Sequence, residues 1–180
     1  MNLAESIALA TWIYTGLTLI YVVFVGRTLW YVRDQLKEQK KARKFQETIS
    51  MFKEIQARDL DESRRYVEDE LPESIERVEY EKLWEHVRRI EPAIINFDRV
   101  GYLVHQDHID RLMIMETYWP AIWRCWKQTK HFIMWLREQR NEKGAYREYE
   151  HLFNLSEEYR IQNGLPEPRF YRTTKRILTS

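Results

Sequence analysis

Four side chains within six residues carry metal-binding or acid–base groups: His105, Asp107, His108 and Asp110, in the run HQDHID. Imidazole and carboxylate are ligands for zinc, manganese or iron, and residues three apart share a helical face. The same run also reads as a polar turn between helices, with Asp107 as the cap of the next helix and Asp110 in its positive N-terminal turn. Glu76, Glu79, Glu81, Glu85 and Glu91 gather carboxylates near Trp84, the raw material of a general acid–base pair. Set among arginines, with Glu85 spaced to reach Arg88 and Arg89, they read equally as a solvated, salt-bridged face. Cys125 lies beside Arg124, which would favour a thiolate, but no histidine adjoins it as a base. Its other role is that of a small buried hydrophobe. Trp119, Trp123 and Trp126 recur at helical spacing, either as core or as the wall of an aromatic small-ligand pocket.

The elements that must position these groups are helices. From Ile7 to Val25 the chain has no charge for 19 residues, about 28 Å of helix against a hydrocarbon core of about 30 Å. Trp12 and Tyr14 mark one interface and Trp30 and Tyr31 the other. The N-terminus lacks the basic residues and small-residue cleavage site of a signal peptide, so the segment reads as an uncleaved anchor. Residues 27–44 then hold seven Lys and Arg against Asp34 and Glu38. That bias predicts a short N-terminus outside and residues 27–180 in the cytosol. Arg33, Lys37, Lys40, Lys41, Arg43 and Lys44 are the candidate contacts for anionic lipid headgroups.

Beyond the neck, Phe45, Ile49, Phe52 and Ile55 mark one helical face. A second helix is expected from Asp59 or Asp61, as N-cap, to Glu70, apolar along Leu60, Val67 and Leu71. Ser74 should cap a third, Glu91–Pro92 should end it, and a short helix should come next over Ile94–Val104. A long aromatic helix runs from Leu112 to Leu136, with Pro120 kinking or restarting it. A last helix should stop at Asn163–Gly164. No stretch alternates as a strand would, so the fold class is all-α: a transmembrane helix continuing into a juxtamembrane helix, then a cytosolic multi-helix domain. The expected divisions are residues 1–6 outside, 7–26 in the membrane, 27–45 a basic helix, 46–165 the domain and 166–180 a basic tail.

The 180 residues suffice for one modest domain and an appendage. Net charge is +1, and residues 45–168 hold 25 acidic against 18 basic residues, so nucleic acid is not an expected partner. A single cysteine excludes an intramolecular disulfide. The five glycines, at 16, 26, 101, 144 and 164, are dispersed and form neither a phosphate-cradling loop nor a dinucleotide fingerprint. No cofactor is expected.

The segments FKEIQARDLDESRRYVEDEL (52–71), LWEHVRRI (83–90), IINFDRVGYLVHQDHIDRLM (94–113) and WPAIWRCW (119–126) carry a resemblance. In this order they resemble a family of small, uncharacterised bacterial single-pass membrane proteins with a short helical cytosolic domain. The resemblance implies architecture and an inner-membrane location, and supplies no reaction. The expected function is a membrane-tethered interaction or sensing module with a protein partner, self-association being compatible with a single span. The alternatives are a metal- or carboxylate-dependent anchored enzyme, with HQDHID at its centre, or a small-ligand domain with an aromatic pocket.

Overall fold

The computed structural model describes residues 3–72, 75 and 78–170, the side chains of 3–11 and 59 excepted. Five helices occur in it: α1 (Leu3–Ile55), α2 (Arg58–Asp69), α3 (Tyr80–His105), α4 (Arg111–Gln139) and α5 (Arg147–Gln162). No described residue is in a strand. The chain divides into two compact units, residues 1–43 and 44–180.

The first unit is helix alone. It holds an 18-residue window of mean hydropathy 1.4, none of it buried within the protein. By length and composition α1 can cross a membrane. Thr18 and Thr28 donate their hydroxyls to the carbonyls of Tyr14 and Phe24, each at 2.9 Å, which hides both polar groups in an apolar setting.

In the second unit the end of α1, α2, α3, α4 and α5 surround one core. Its centre is aromatic: Tyr149 stacks on Phe97 at 5.2 Å and meets Trp126 edge-on at 4.9 Å, and Phe153 stacks on Trp126 at 5.7 Å. Helices α3 and α5 approach closely at Gly101, where an added Cβ would lie 2.1 Å from the Glu148 carbonyl oxygen. Asp98, one turn earlier, accepts the Tyr149 amide at 2.9 Å. Helix α5 begins at Tyr146, which has φ 56° and offers no side-chain cap, so α3 supplies the missing acceptor.

Three helix ends share one chemistry. At the end of α3, the Asp107 amide donates to Val104 O and the His108 amide to Leu103 O; Asn141 with Glu142, and Gly164 with Leu165, repeat the pattern on α4 and α5. Each is a Schellman motif, with Asp107, Asn141 and Gly164 in the left-handed region at φ 57°, 51° and 61°. The stop expected at Asn163–Gly164 is the third of these.

Four local expectations are corrected. The buried face of α1 is Thr48, Met51 and Ile55, while Phe45 is exposed. The Thr48 hydroxyl sets that rotation, accepting the Asp110 amide at 2.9 Å and donating to Lys44 O. Neither Asp59 nor Asp61 is an N-cap: α2 starts after Ala57, and Asp61 pairs instead with Arg64 and Arg65. Pro120 does not divide α4, which runs unbroken through it. Nor does Pro92 end a helix, since α3 runs from Tyr80 through it to His105. A proline there removes an i→i−4 bond and strains the turn around it. Ser63, buried on α2, sets its hydroxyl against the adjacent rung: it donates to Arg89 O at 2.7 Å and accepts from the Ala93 amide at 3.3 Å. Ser63→Ala is expected to cost about 1–3 kcal/mol, the usual penalty for stranding buried backbone groups. Urea unfolding followed by circular dichroism measures it, and an unchanged midpoint would reject the bridging role. The expected cap Ser74 lies outside the described residues.

Candidate functional site

HQDHID is the corner between α3 and α4. His105 is the last residue of α3, Asp107 and His108 complete its Schellman motif, and Asp110 is the N-cap of α4. Asp110 Oδ1 accepts the Leu112 and Met113 amides at 2.9 and 3.1 Å, so the cap expected at Asp107 falls instead on Asp110, because Asp107 is taken up by the left-handed stop of α3. Asp107 pairs with Lys44 from α1. His105 Nδ1 lies 2.9 Å from Glu148 Oε2, and its ring is 5.3 Å from that of His151. His108 is exposed. The four groups therefore point to four different partners or to solvent. Among the described residues no three His, Cys, Asp or Glu side chains form a group able to hold a metal. The bond to His105, reinforced by Arg147, holds the Glu148 carboxyl below its ordinary range.

The carboxylates near Trp84 are dispersed. Glu79 pairs with Lys82 at 2.8 Å and Glu91 with Arg140 at 3.1 Å; Glu76 lies outside the described residues. Glu85 does not pair with Arg88 or Arg89. Arg89 instead reaches Glu70 at 3.3 Å and lies 3.6 Å over the Tyr66 ring. Cys125 is buried, and burial pushes its thiol up to about 12, far from a nucleophile's range. Trp123 and Trp126 are buried, with Trp119 packed at the core's margin. Trp123 Nε1 donates to Glu157 at 2.6 Å, and Lys127 lies 5.0 Å from its ring. This row is packing, not a stacking platform.

Tyr66 and His86 share a hydrogen bond in a half-buried cluster that sequence reading missed, since the partners lie on different helices. Burial lowers the affinity of His86 for a proton, and does the same at His131. The folded state thus keeps both rings neutral where the unfolded chain, at about 6.5, takes up protons. Stability is expected to be constant above that value and to fall on acidification from pH 6.5 toward the lower folded-state values. Unfolding midpoints at pH 7.5 and 5.5 should show the loss. Doubling His86→Phe with His131→Phe should flatten the slope, and an unchanged slope would reject these two histidines as its source.

In the first unit, the side chains of Arg33, Lys37 and Lys40 are exposed with no ion pair among the described residues, Arg43 is exposed, and Lys41 pairs on the surface with Glu38 at 2.8 Å. Lys44, the last of the candidate lipid contacts, is committed to Asp107 inside the second unit.

A second feature escaped sequence reading because its residues come from three helices. A groove of about 420 Å³ is lined by Leu60 of α2, by Arg88, Pro92, Ile95 and Asn96 of α3, and by the Glu54–Arg99 ion pair joining α1 and α3. Asn96 is only 7% exposed, and its amide bonds to no described residue.

These features define a helical domain of buried aromatic core carried on a helix long and apolar enough to span a bilayer. The chain belongs to the DUF4760 family, a domain of unknown function, whose profile matches residues 7–156. The uncharacterised family expected from the sequence is thereby shown. No curated protein and no solved structure matches the chain.

Proposed function

We propose that the chain is a membrane-tethered interaction or sensing module, spanning a bacterial inner membrane once, with its N-terminus outside and residues 27–180 in the cytosol. The observation that carries this reading is the sequence of surfaces along α1. An apolar stretch with every described side chain unburied gives way directly to a run of exposed cations. Such a cationic flank stays on the cytoplasmic side and attracts anionic headgroups, each Lys or Arg contributing about 1 kcal/mol near the surface. A tether confines the domain to a surface and raises its effective concentration toward partners there.

Crosslinking of the full-length chain in its native membrane, read by mass spectrometry, tests the reading. Adducts to another protein through residues 44–170 are expected, with a reporter fused after Ser180 active in the cytoplasm. Full-length chain in the soluble fraction without detergent, or a reporter active outside, would overturn it.

A further inference from the structure

We propose that the groove between α1, α2 and α3 binds a short extended peptide in which an apolar residue is followed closely by an acidic one. This names the partner chemistry of the interaction module and rests on that reading.

Three observations meet in the groove. Its floor is apolar: Leu60, Pro92 and Ile95 line it, and Ile95 is 52% exposed although it stands in the middle of a packed helix. Asn96 sits beside them, nine-tenths buried, with no hydrogen bond to any described residue. A primary amide carries a donor and an acceptor side by side, the complement of a peptide group's carbonyl and N–H. The Asn96 amide is not among the fully buried unpartnered atoms, so it faces water at the groove, and a peptide group that takes over both of its hydrogen bonds displaces that water. The third observation is charge. Glu54 is neutralised by Arg99 and Glu91 by Arg140. Arg88 is exposed at the lining and has no partner among the described residues, leaving its guanidinium uncompensated by them. Its planar fork suits a carboxylate held by two parallel hydrogen bonds. A volume of about 420 Å³ is at the small end of ligand sites and takes a few side chains, not a folded surface.

The ligand's chemistry is set by these three groups. An aliphatic side chain covers Ile95 and Pro92, its backbone amide is read by Asn96, and the carboxylate one or two residues on meets Arg88. Because the amide and the guanidinium are both on α3, the spacing between the two polar contacts is fixed by one helix.

The probe is a fluorescein-labelled, capped pentapeptide of two leucines, two aspartates and a glycine. It is titrated by anisotropy against the full-length chain in phosphatidylcholine nanodiscs. Saturable binding is expected, with Kd between about 10 μM and 1 mM. Arg88→Glu should weaken it about tenfold or more and create binding of the matching lysine peptide, a switch that misfolding cannot produce. Asn96→Leu should weaken it about tenfold with the circular dichroism unchanged. No saturation by about 1 mM protein, equal binding of the aspartate and lysine peptides, or competition by octanoate as strong as by unlabelled peptide would overturn the proposal. Peptide failure alongside protein adducts mapped to another face of residues 44–170 rejects the groove and leaves the module standing. Failure of both rejects both.

Discussion

Truncating Trp126 to alanine is expected to destabilise the second unit by about 3–5 kcal/mol, the range for deleting a large buried aromatic. Trp126 is 2% exposed and joins α4 to α5: it meets Tyr149 edge-on at 4.9 Å and stacks on Phe153 at 5.7 Å. Tyr149 in turn stacks on Phe97 of α3. Deleting the indole leaves a void that none of these rings can fill without abandoning its own partner. A domain of this size has about 5–15 kcal/mol to lose, so the variant should stand near its unfolding threshold. Urea titration of the full-length chain in detergent should show a lower midpoint at unchanged slope. Trp123→Ala should cost less, because one edge of that ring already faces Glu157 and Lys127. A loss below about 1 kcal/mol at Trp126 would show the helices pack without it.

Gly101→Ala is the second large effect, and it acts by addition. The new methyl would meet the carbonyl oxygen and carbon of Glu148 at 2.1 and 2.6 Å. Both are backbone atoms in the first turn of α5, so no rotamer change relieves the clash and the helices must separate. Overpacking of this kind costs about 1–3 kcal/mol where side chains can yield, and the backbone here places it at or above the upper end. Separation would also lengthen the bond from the Tyr149 amide to Asp98, the cap that α5 lacks from its own sequence. The expected result is a melting temperature lower by about 10 °C or more, with faster hydrogen exchange at Tyr149. A melting temperature within about 1 °C of the parent would place the two helices farther apart than described.

The helical class, the long apolar helix and the stop at Gly164 were legible because each depends on a few consecutive residues. What local pattern missed depends on partners far away in sequence. Pro92 signals a break to any reading of neighbours, yet α3 runs through it, and a serine 29 positions earlier bonds the backbone at that turn. Phe45 outranks Thr48 on hydropathy, yet the threonine is the buried one because it bonds the amide of Asp110. HQDHID drew notice as a set of ligands, while its order also spells helix end, left-handed residue and helix start. Gly101 carried a signal that went unused: a glycine inside an apolar helical run marks a close backbone approach. The groove carried none, since Leu60, Arg88 and Asn96 share no local period.

The Ser63 bridge makes α2 a structural component of α3. A twelve-residue helix detaches more readily than the longer helices around it. When α2 lifts away, the Ala93 amide and the Arg89 carbonyl both lose the Ser63 hydroxyl, at the turn where Pro92 already weakens α3. The two helices must therefore loosen together, and the exchange rate of one proton, the Ala93 amide, becomes a gauge of whether α2 is seated. Leu60 leaves the groove in the same motion that unsettles Pro92, Ile95 and Asn96. Anything that fills the groove is thus coupled to the joint, and its occupancy should slow that single amide.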